Sequence, residues 1–549
     1  MTVLDLPAAV GRFSFRIPRW LLVAGGFTAL TALLFWPWVA HLSTALIGPP
    51  EDNMQDFWNS WHAATAHSWG DFFFTRQIRF PEGANLTYHS FAWPQVAAVT
   101  VLAKIFGTDF ATILALQNIT LLASFPIAAV SMFYLARHVL GDVEGRDLGA
   151  AVAGFVFAFN PWHVAQVMHH AHVATIEFIP LFVLFYLRAL GDRRWLIGAI
   201  AMMALNALAC WYFFFYALYF MAFHLLYRRI ADHRWPRGWM LVAPALCAVG
   251  AALLLAPWVV PMMTSTGQLS IRYLGGNMFV ADLAAWFAVP PTHLLAQFGS
   301  GVYAKLTGNP WEDVVYLGLA NAALLVWALT RRNDRRTLYY ALGGMAFFAV
   351  IASGETLHVA GTVTPLHLPA LMLAKLPFVS NVRTPARAMV FVCLFMGLAL
   401  AQACVMARGR KWLPLLLVLM LLDFVPTHLE ATPAACPAGL NIIARDREPA
   451  GVLDVPAGYE NGNAAMMLSA CHGHPIMQGE TSRKMGITLL DRLNPTDLAE
   501  QKRQLVAAHV KYVVLHRGPL FRATGDFSGY PQNYRAIYDS GDVTVLRVY

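Results

Sequence analysis

The chain has 549 residues, of which 58% are hydrophobic and only 13% charged, with a formal net charge of +8 and a mean hydropathy of +0.51. A soluble protein of this length would carry about twice that charge fraction, and apolar stretches of about 20 residues recur, so the composition excludes a soluble enzyme and points to a polytopic α-helical membrane protein. The basic excess does not point to nucleic acid, because the Lys and Arg residues punctuate apolar spans, as the positive-inside rule expects.

Residues 19–41 are too long for a signal-peptide core and lack a small-residue cleavage site, so they read as a retained first helix. Arg12, Arg16 and Arg19 precede it and place the N-terminus in the cytoplasm. Putting the later basic clusters on the same side requires about 11 spans. They fall near 19–41, 111–137, 148–164, 173–191, 194–210, 212–228, 238–262, 313–331, 337–354, 386–407 and 411–426. Segment 92–107, "AWPQVAAVTVLAKIFG", must then lie in the outer interface rather than cross. The transmembrane domain is expected over 1–426, with outer loops 41–110, 263–312 and 355–385.

Residues 427–549 read as a small α/β domain outside the membrane. The runs "GVLDVP", "KYVVLH" and "VTVLRVY" have strand character, a polar helix is expected near 496–508, and "DSGD" marks a hairpin turn before the last run. Of six Cys, Cys210, Cys247, Cys393 and Cys404 fall in spans. Cys436 and Cys471 are alone in the tail, where an oxidising compartment would let them pair if their Cα atoms lie within about 7 Å. No CxxC or other metal spacing occurs.

Four stretches carry candidate chemistry, all on the outer face. In "GPPEDNMQDFWNSWHAA" (48–64), a helix starting near residue 53 would make Asp52 an N-cap, with Glu51 before it and Asp56 one turn on. Trp58 and Trp61 would then seat in the headgroup region. The sharper alternative is a base or metal-binding carboxylate facing a lipid-borne substrate. In "NPWHVAQVMHHAHVATIEFIPL" (160–181), His169 and His172 could share a helix face and hold a metal. Glu177 is costly to bury at a span entrance without purpose. In "NPWEDVVYLGLA" (309–320), Glu312 and Asp313 sit at an expected helix start, where carboxylates favour the dipole. In "NVRTPARAMVF" (381–391), Arg383 and Arg387 are cations on the wrong side for the positive-inside rule. An anionic ligand would explain them, with lipid headgroups or a carboxylate partner as the alternative; Arg272 is a weaker candidate of the same kind. Carboxylates beside arginines at a membrane surface suit a reaction on a lipid phosphate. A base deprotonates an acceptor hydroxyl and the arginines stabilise the departing phosphate. No Walker, Rossmann, GxSxG or HExxH motif offers a competing chemistry.

In chain order, "EDNMQDFWNSWHAA" with "FPEGANL", "FAFNPWHVAQVMHHAHVATIEFIPL", "WEDVVYLGLA", "LPFVSNVRTPARAMVF" and the tail's "VLDVP" and "VKYVVLHR" resemble bacterial membrane glycosyltransferases of the GT-C fold, particularly their large multi-span relatives. The resemblance covers nearly the whole chain. It implies a polyprenyl-phosphate-linked sugar as donor, used on the outer face of the bacterial inner (plasma) membrane, usually with inversion. The acceptor would be a lipid-linked glycan, a polysaccharide or a protein. It also implies Asp52 as the base, Asp56 as the fallback and Glu177 as the second acid. A divalent metal at Asp52, Glu177 and His172 stays open, because the acidic pair here is the adjacent Glu51–Asp52 and Glu177 lies beside a His cluster. The competing expectation is a non-catalytic lipid-linked glycan transporter or accessory protein. A transporter should show charges along a path and repeat symmetry, and the chain shows neither. A scaffold whose tail recruits a partner is the third reading.

Overall fold

A computed structural model describes residues 18–265, 277–331, 335–373, 383–482, 486–522 and 527–549. It is a polytopic helical membrane fold. Among the described residues, four helices are long and apolar enough to cross a bilayer: Phe110–Leu140, Arg146–His169, Ala171–Ala189 and Pro385–Met406. A fifth crossing forms if Trp239–Leu254 and Ala256–Thr264, bent by 68°, act as one span. The other expected spans coincide with apolar helices of 10–17 residues, or with the longer Trp211–Ala231, whose second half carries His224, Arg228 and Arg229. Helix length and composition therefore account for four or five crossings of the expected eleven.

The helix Met389–Met406 is the axis of the bundle and is buried almost throughout. Its neighbours approach through small residues, the usual solution where lipid offers no hydrophobic drive between helices. A Cβ on Gly149 would meet the Ala401 carbonyl at 2.6 Å, and one on Gly344 would overlap the Phe395 ring.

One expected span starts late. Residues 310–313 form a turn and the helix begins at Leu319, after Gly318 at φ +92°. Glu312 and Asp313 are therefore not at a helix start, and the dipole does not explain them. Segment 92–107 contains the helix Trp93–Phe106. Its 14 residues span about 21 Å, short of the ~30 Å hydrocarbon core.

The tail holds a four-stranded sheet in the order Gly451–Val455, Val510–His516, Val543–Arg547, Arg535–Asp539. The first pair is parallel and the others antiparallel. Ser540–Asp542 closes the last hairpin, with Gly541 at φ +83°, and the polar helix is Leu498–Ala507, capped by Asp497. Cys436 and Cys471 form a disulfide with Cα atoms 5.6 Å apart.

The tail does not hang free. Ala45–Ile47 pairs with Ala431–Pro433, and Arg79 and Phe80 donate backbone hydrogen bonds to Gln478 and Ile476. One hydrophobic cluster runs from the first outer loop (Phe57, Trp58, Ile78, Val99) into the tail (Ile443, Met466, Val514, Val545). This overturns the headgroup-anchor reading of Trp58 and Trp61. They are 0% and 6% exposed and face protein, because the tail and the helix Trp93–Phe106 cover them.

The packing yields a stability prediction. Gly344→Leu should destabilise the bundle by about 1–3 kcal/mol or more through overpacking against Phe395. Gly301→Ala, where a Cβ meets nothing within 4 Å, should leave thermal unfolding in nanodiscs unchanged. Equal melting temperatures for the two variants would contradict the close helix approach.

Candidate active site

A cavity of about 1870 Å³ opens between the bundle and the tail. One wall is apolar, with Leu208, Phe214, Phe215, Leu218, Val259 and Met262; the rest is polar, with Glu51, Asp52, Asp56, His172, Arg383 and Arg387. Large ligand sites usually fall below about 1000 Å³, so this volume fits an elongated or two-part ligand.

The acidic helix Asp52–Thr65 is aimed into the cavity by its first turn. Asn53 is fully buried and donates to Ile47 O at 2.7 Å, Met168 O at 2.7 Å and Val167 O at 3.1 Å, locking the helix onto the end of Pro161–His169. The cap residue is Glu51, and no side chain makes a capping bond. The expected capping role of Asp52 is therefore absent; it is the first helical residue and its carboxylate is left for something else.

Three acids in one turn and a half meet three environments. Glu51 is held by His169 Nδ1 at 3.2 Å and by Arg522 of the tail at 3.0 Å; the His169 hydrogen bond first, and then Arg522, bring its pKa down to about 2. Asp52 is 55% exposed and lines the cavity. Desolvation by the surrounding walls raises its pKa, with Glu51 and Glu312 adding to the effect and Arg387 opposing it. Asp56 is 6% exposed, and Asn59 donates to its Oδ1 at 3.4 Å. Burial, and then the Asp52 charge, push its pKa up to about 8.

The helix carrying the histidines breaks at His170, so His169 ends one helix and His172 belongs to the next, Ala171–Ala174. They share no face. His169 stacks on Trp311 at 4.0 Å. The histidine that reaches the acids is His170, which the sequence did not single out. Its Nε2 lies 3.9 Å from Asp52 Oδ2 and 3.7 Å from Glu312 Oε1. Among the described residues no group of three or more His, Cys, Asp or Glu is arranged to hold a metal ion.

Glu312 and Arg387 form a buried pair. Arg387 Nε lies 3.0 and 3.3 Å from the two carboxylate oxygens, Nη2 also bonds Oε1, and the guanidinium lies 5.1 Å from the Tyr212 ring. Arg383 lines the cavity with no side-chain partner among the described residues. Arg272 lies outside the described residues. Glu177 is buried with Oε2 unpartnered, but it is not on the cavity wall. Asp313 is also off the wall; both its oxygens lack partners among the described residues, and burial raises its pKa to about 9. Tyr212, Tyr459 and Arg522 also belong to the site. The tail pair is more than 400 residues from Asp52 in sequence, so no local pattern could have found it.

No family model and no curated protein matches the chain. Among solved structures it is similar to ArnT from Cupriavidus metallidurans in the apo state, at 14% identity, over 96% of this chain and 98% of that one, with a TM-score of 0.44. The same protein bound to undecaprenyl phosphate matches at 12% identity, over the same shares of the two chains, with a TM-score of 0.41. The mycobacterial arabinofuranosyltransferase AftD matches at 14% identity, over 97% of this chain and 41% of that one, with a TM-score of 0.48. All three scores lie below 0.5, so the chemistry has to be read from the cavity itself.

Two predictions follow from the buried charges. Glu312→Ala strands Arg387 and should cost about 3–5 kcal/mol, most of it recovered in the Glu312→Ala, Arg387→Met double variant. Denaturation of the two in nanodiscs checks this, and equal losses would contradict it. For Asp56, the folded state binds the proton more tightly than the unfolded chain. Stability should therefore fall as pH rises from the ordinary carboxylate range through about 8. Asp56→Asn should flatten that slope when melting is followed between about pH 5 and 9.

Proposed function

We propose that the protein is a GT-C-like membrane glycosyltransferase that moves a sugar from a polyprenyl phosphate to an acceptor outside the cytoplasm. The observation that carries this is the composition of one cavity. An uncapped Asp52 carboxylate and an Arg383 guanidinium that is unpaired among the described residues share a chamber with an adjoining apolar lining. A ligand with a long hydrocarbon, a phosphate and a reactive sugar requires these three features together.

Asp52 accepts the proton of the acceptor hydroxyl, its raised pKa bringing it nearer the operating pH of a general base. The hydroxyl oxygen bonds to the anomeric carbon from the face opposite the phosphate. The carbon–oxygen bond to the phosphate breaks and polyprenyl phosphate leaves with one more negative charge. Arg383 meets that charge, with Arg387 behind it already balanced by Glu312. Asp56, one turn from Asp52, is the second acid of the site. A divalent ion at Asp52, Glu177 and His172 does not fit, because Glu177 is off the cavity wall. No step is routed through one.

The topology belongs to the same proposal: about 11 spans, the N-terminus in the cytoplasm, and residues 427–549 as an outer domain of the bacterial inner membrane. The Lys and Arg distribution supports it, as does a tail disulfide, which persists in oxidising compartments.

In nanodiscs, Asp52→Asn should keep undecaprenyl phosphate binding and lose transfer by about 100-fold or more. Transfer is read as release of undecaprenyl phosphate from a panel of its sugar derivatives. Arg383→Ala should weaken undecaprenyl phosphate binding in native mass spectrometry. An Asp52→Asn variant as active as the native chain would sink the assignment.

A further inference from the structure

The cavity has a second polar wall, built by the tail. Tyr459 and Glu460 open the helix Tyr459–Ser469, which packs against the acidic helix. Gln55 of the acidic helix donates to Asn463 at 3.4 Å and to Glu480 O at 3.0 Å, so this wall is tied to the helix that carries Asp52. The Tyr459 side chain is 79% exposed, yet the surface it presents is cavity lining. It sits within electrostatic reach of Asp52, Arg383 and Glu480.

The charges on the two walls differ. Among the described residues, the cations lining the tail side are committed: Arg522 binds Glu51 at 3.0 Å, and Arg79 binds the Gly486 carbonyl at 2.6 Å. The Glu460 carboxylate has no partner among the described residues and faces the cavity. On the bundle side stands Arg383, whose side chain has no partner among the described residues. A phosphate is drawn to the bundle side. An anionic group on the tail side would meet Glu460 in a partly desolvated chamber, where like charges repel more strongly than in water.

We propose that the tail wall is the acceptor subsite and takes a non-anionic sugar unit of a glycan, neutral or amino, seated on the Tyr459 ring and hydrogen-bonded to Glu460. A sugar ring has an apolar C–H face and a rim of hydroxyls. A tyrosine supplies the matching apolar face with a polar tip, and a carboxylate accepts from the rim. The chain's own tail thus selects what receives the sugar. This rests on the glycosyltransferase reading, but its test is separate.

The full-length protein in nanodiscs is titrated with neutral, amino-sugar and uronic-acid oligosaccharides and with unstructured peptides. Neutral or amino-sugar chains should bind and uronic ones should not. Tyr459→Ala should lose at least about tenfold in affinity while Tyr459→Trp retains it, a difference of about 1.4 kcal/mol. Glu460→Lys should move the preference toward uronic chains. Undecaprenyl phosphate binding, measured on the same samples, should be unchanged in all three variants, which shows that they are folded. Uronic preference in the native chain, native-like affinity in Tyr459→Ala, binding of peptides alone, or no oligosaccharide binding each overturns the proposal. The donor site is read by Arg383→Ala and undecaprenyl phosphate, so either reading can fail without the other.

Discussion

A charge taken out of water has to be matched, and the site is arranged around that constraint. Arg387 enters a helix that is buried almost throughout, where an unmatched guanidinium would be very costly. Glu312 supplies the match from a turn 75 residues earlier. Because the pair is closed, residues 309–318 are fixed against the start of the central helix. His170 can then stand between Glu312 and Asp52. Remove the pair and the geometry behind Asp52 has no anchor.

The second organising fact is that the tail and the first outer loop share one core. Trp58, Ile78 and Phe57 meet Met466, Val514 and Val545 in a single cluster. The acidic helix is thus gripped from two directions. Asn53 ties it to the bundle, while Gln55 and Glu51 tie it to the tail. Glu51, Asn53 and Gln55 are each spent on a structural bond, and among the described residues the nearest ion-pair contact of the Asp52 carboxylate is 3.9 Å away at His170.

Much of this was legible in the sequence, and the failures have a common cause. Apolar spans, the tail strands and the DSGD hairpin announce themselves through local periodicity. Asp52, Asp56, Arg383 and Arg387 stood out because charge at a membrane surface is conspicuous, and one cavity collects them. What local pattern cannot show is who arrives from far away. Trp58 and Trp61 look the same whether they face headgroups or protein, and the covering residues lie about 400 positions on. Asp52 has the propensity of a cap, but the bonds from Asn53, two to the bundle and one to Ile47, set where the helix begins. Glu312 and Asp313 precede an apolar run, and only Gly318, turning at φ +92°, delays the helix past them.

The pairing of Ala45–Ile47 with Ala431–Pro433 has a consequence for biogenesis. The Trp38 indole nitrogen donates to the carbonyl of Glu430, a partner 392 residues downstream. At a synthesis rate of about 5–20 residues per second, that partner leaves the ribosome roughly 20–80 s later. Through that interval the segment around residues 45–61 has neither its pairing strand nor the tail's share of the cover over its tryptophans. The nascent chain therefore presents an open strand edge and an aromatic patch, and the final quarter of translation is what closes them.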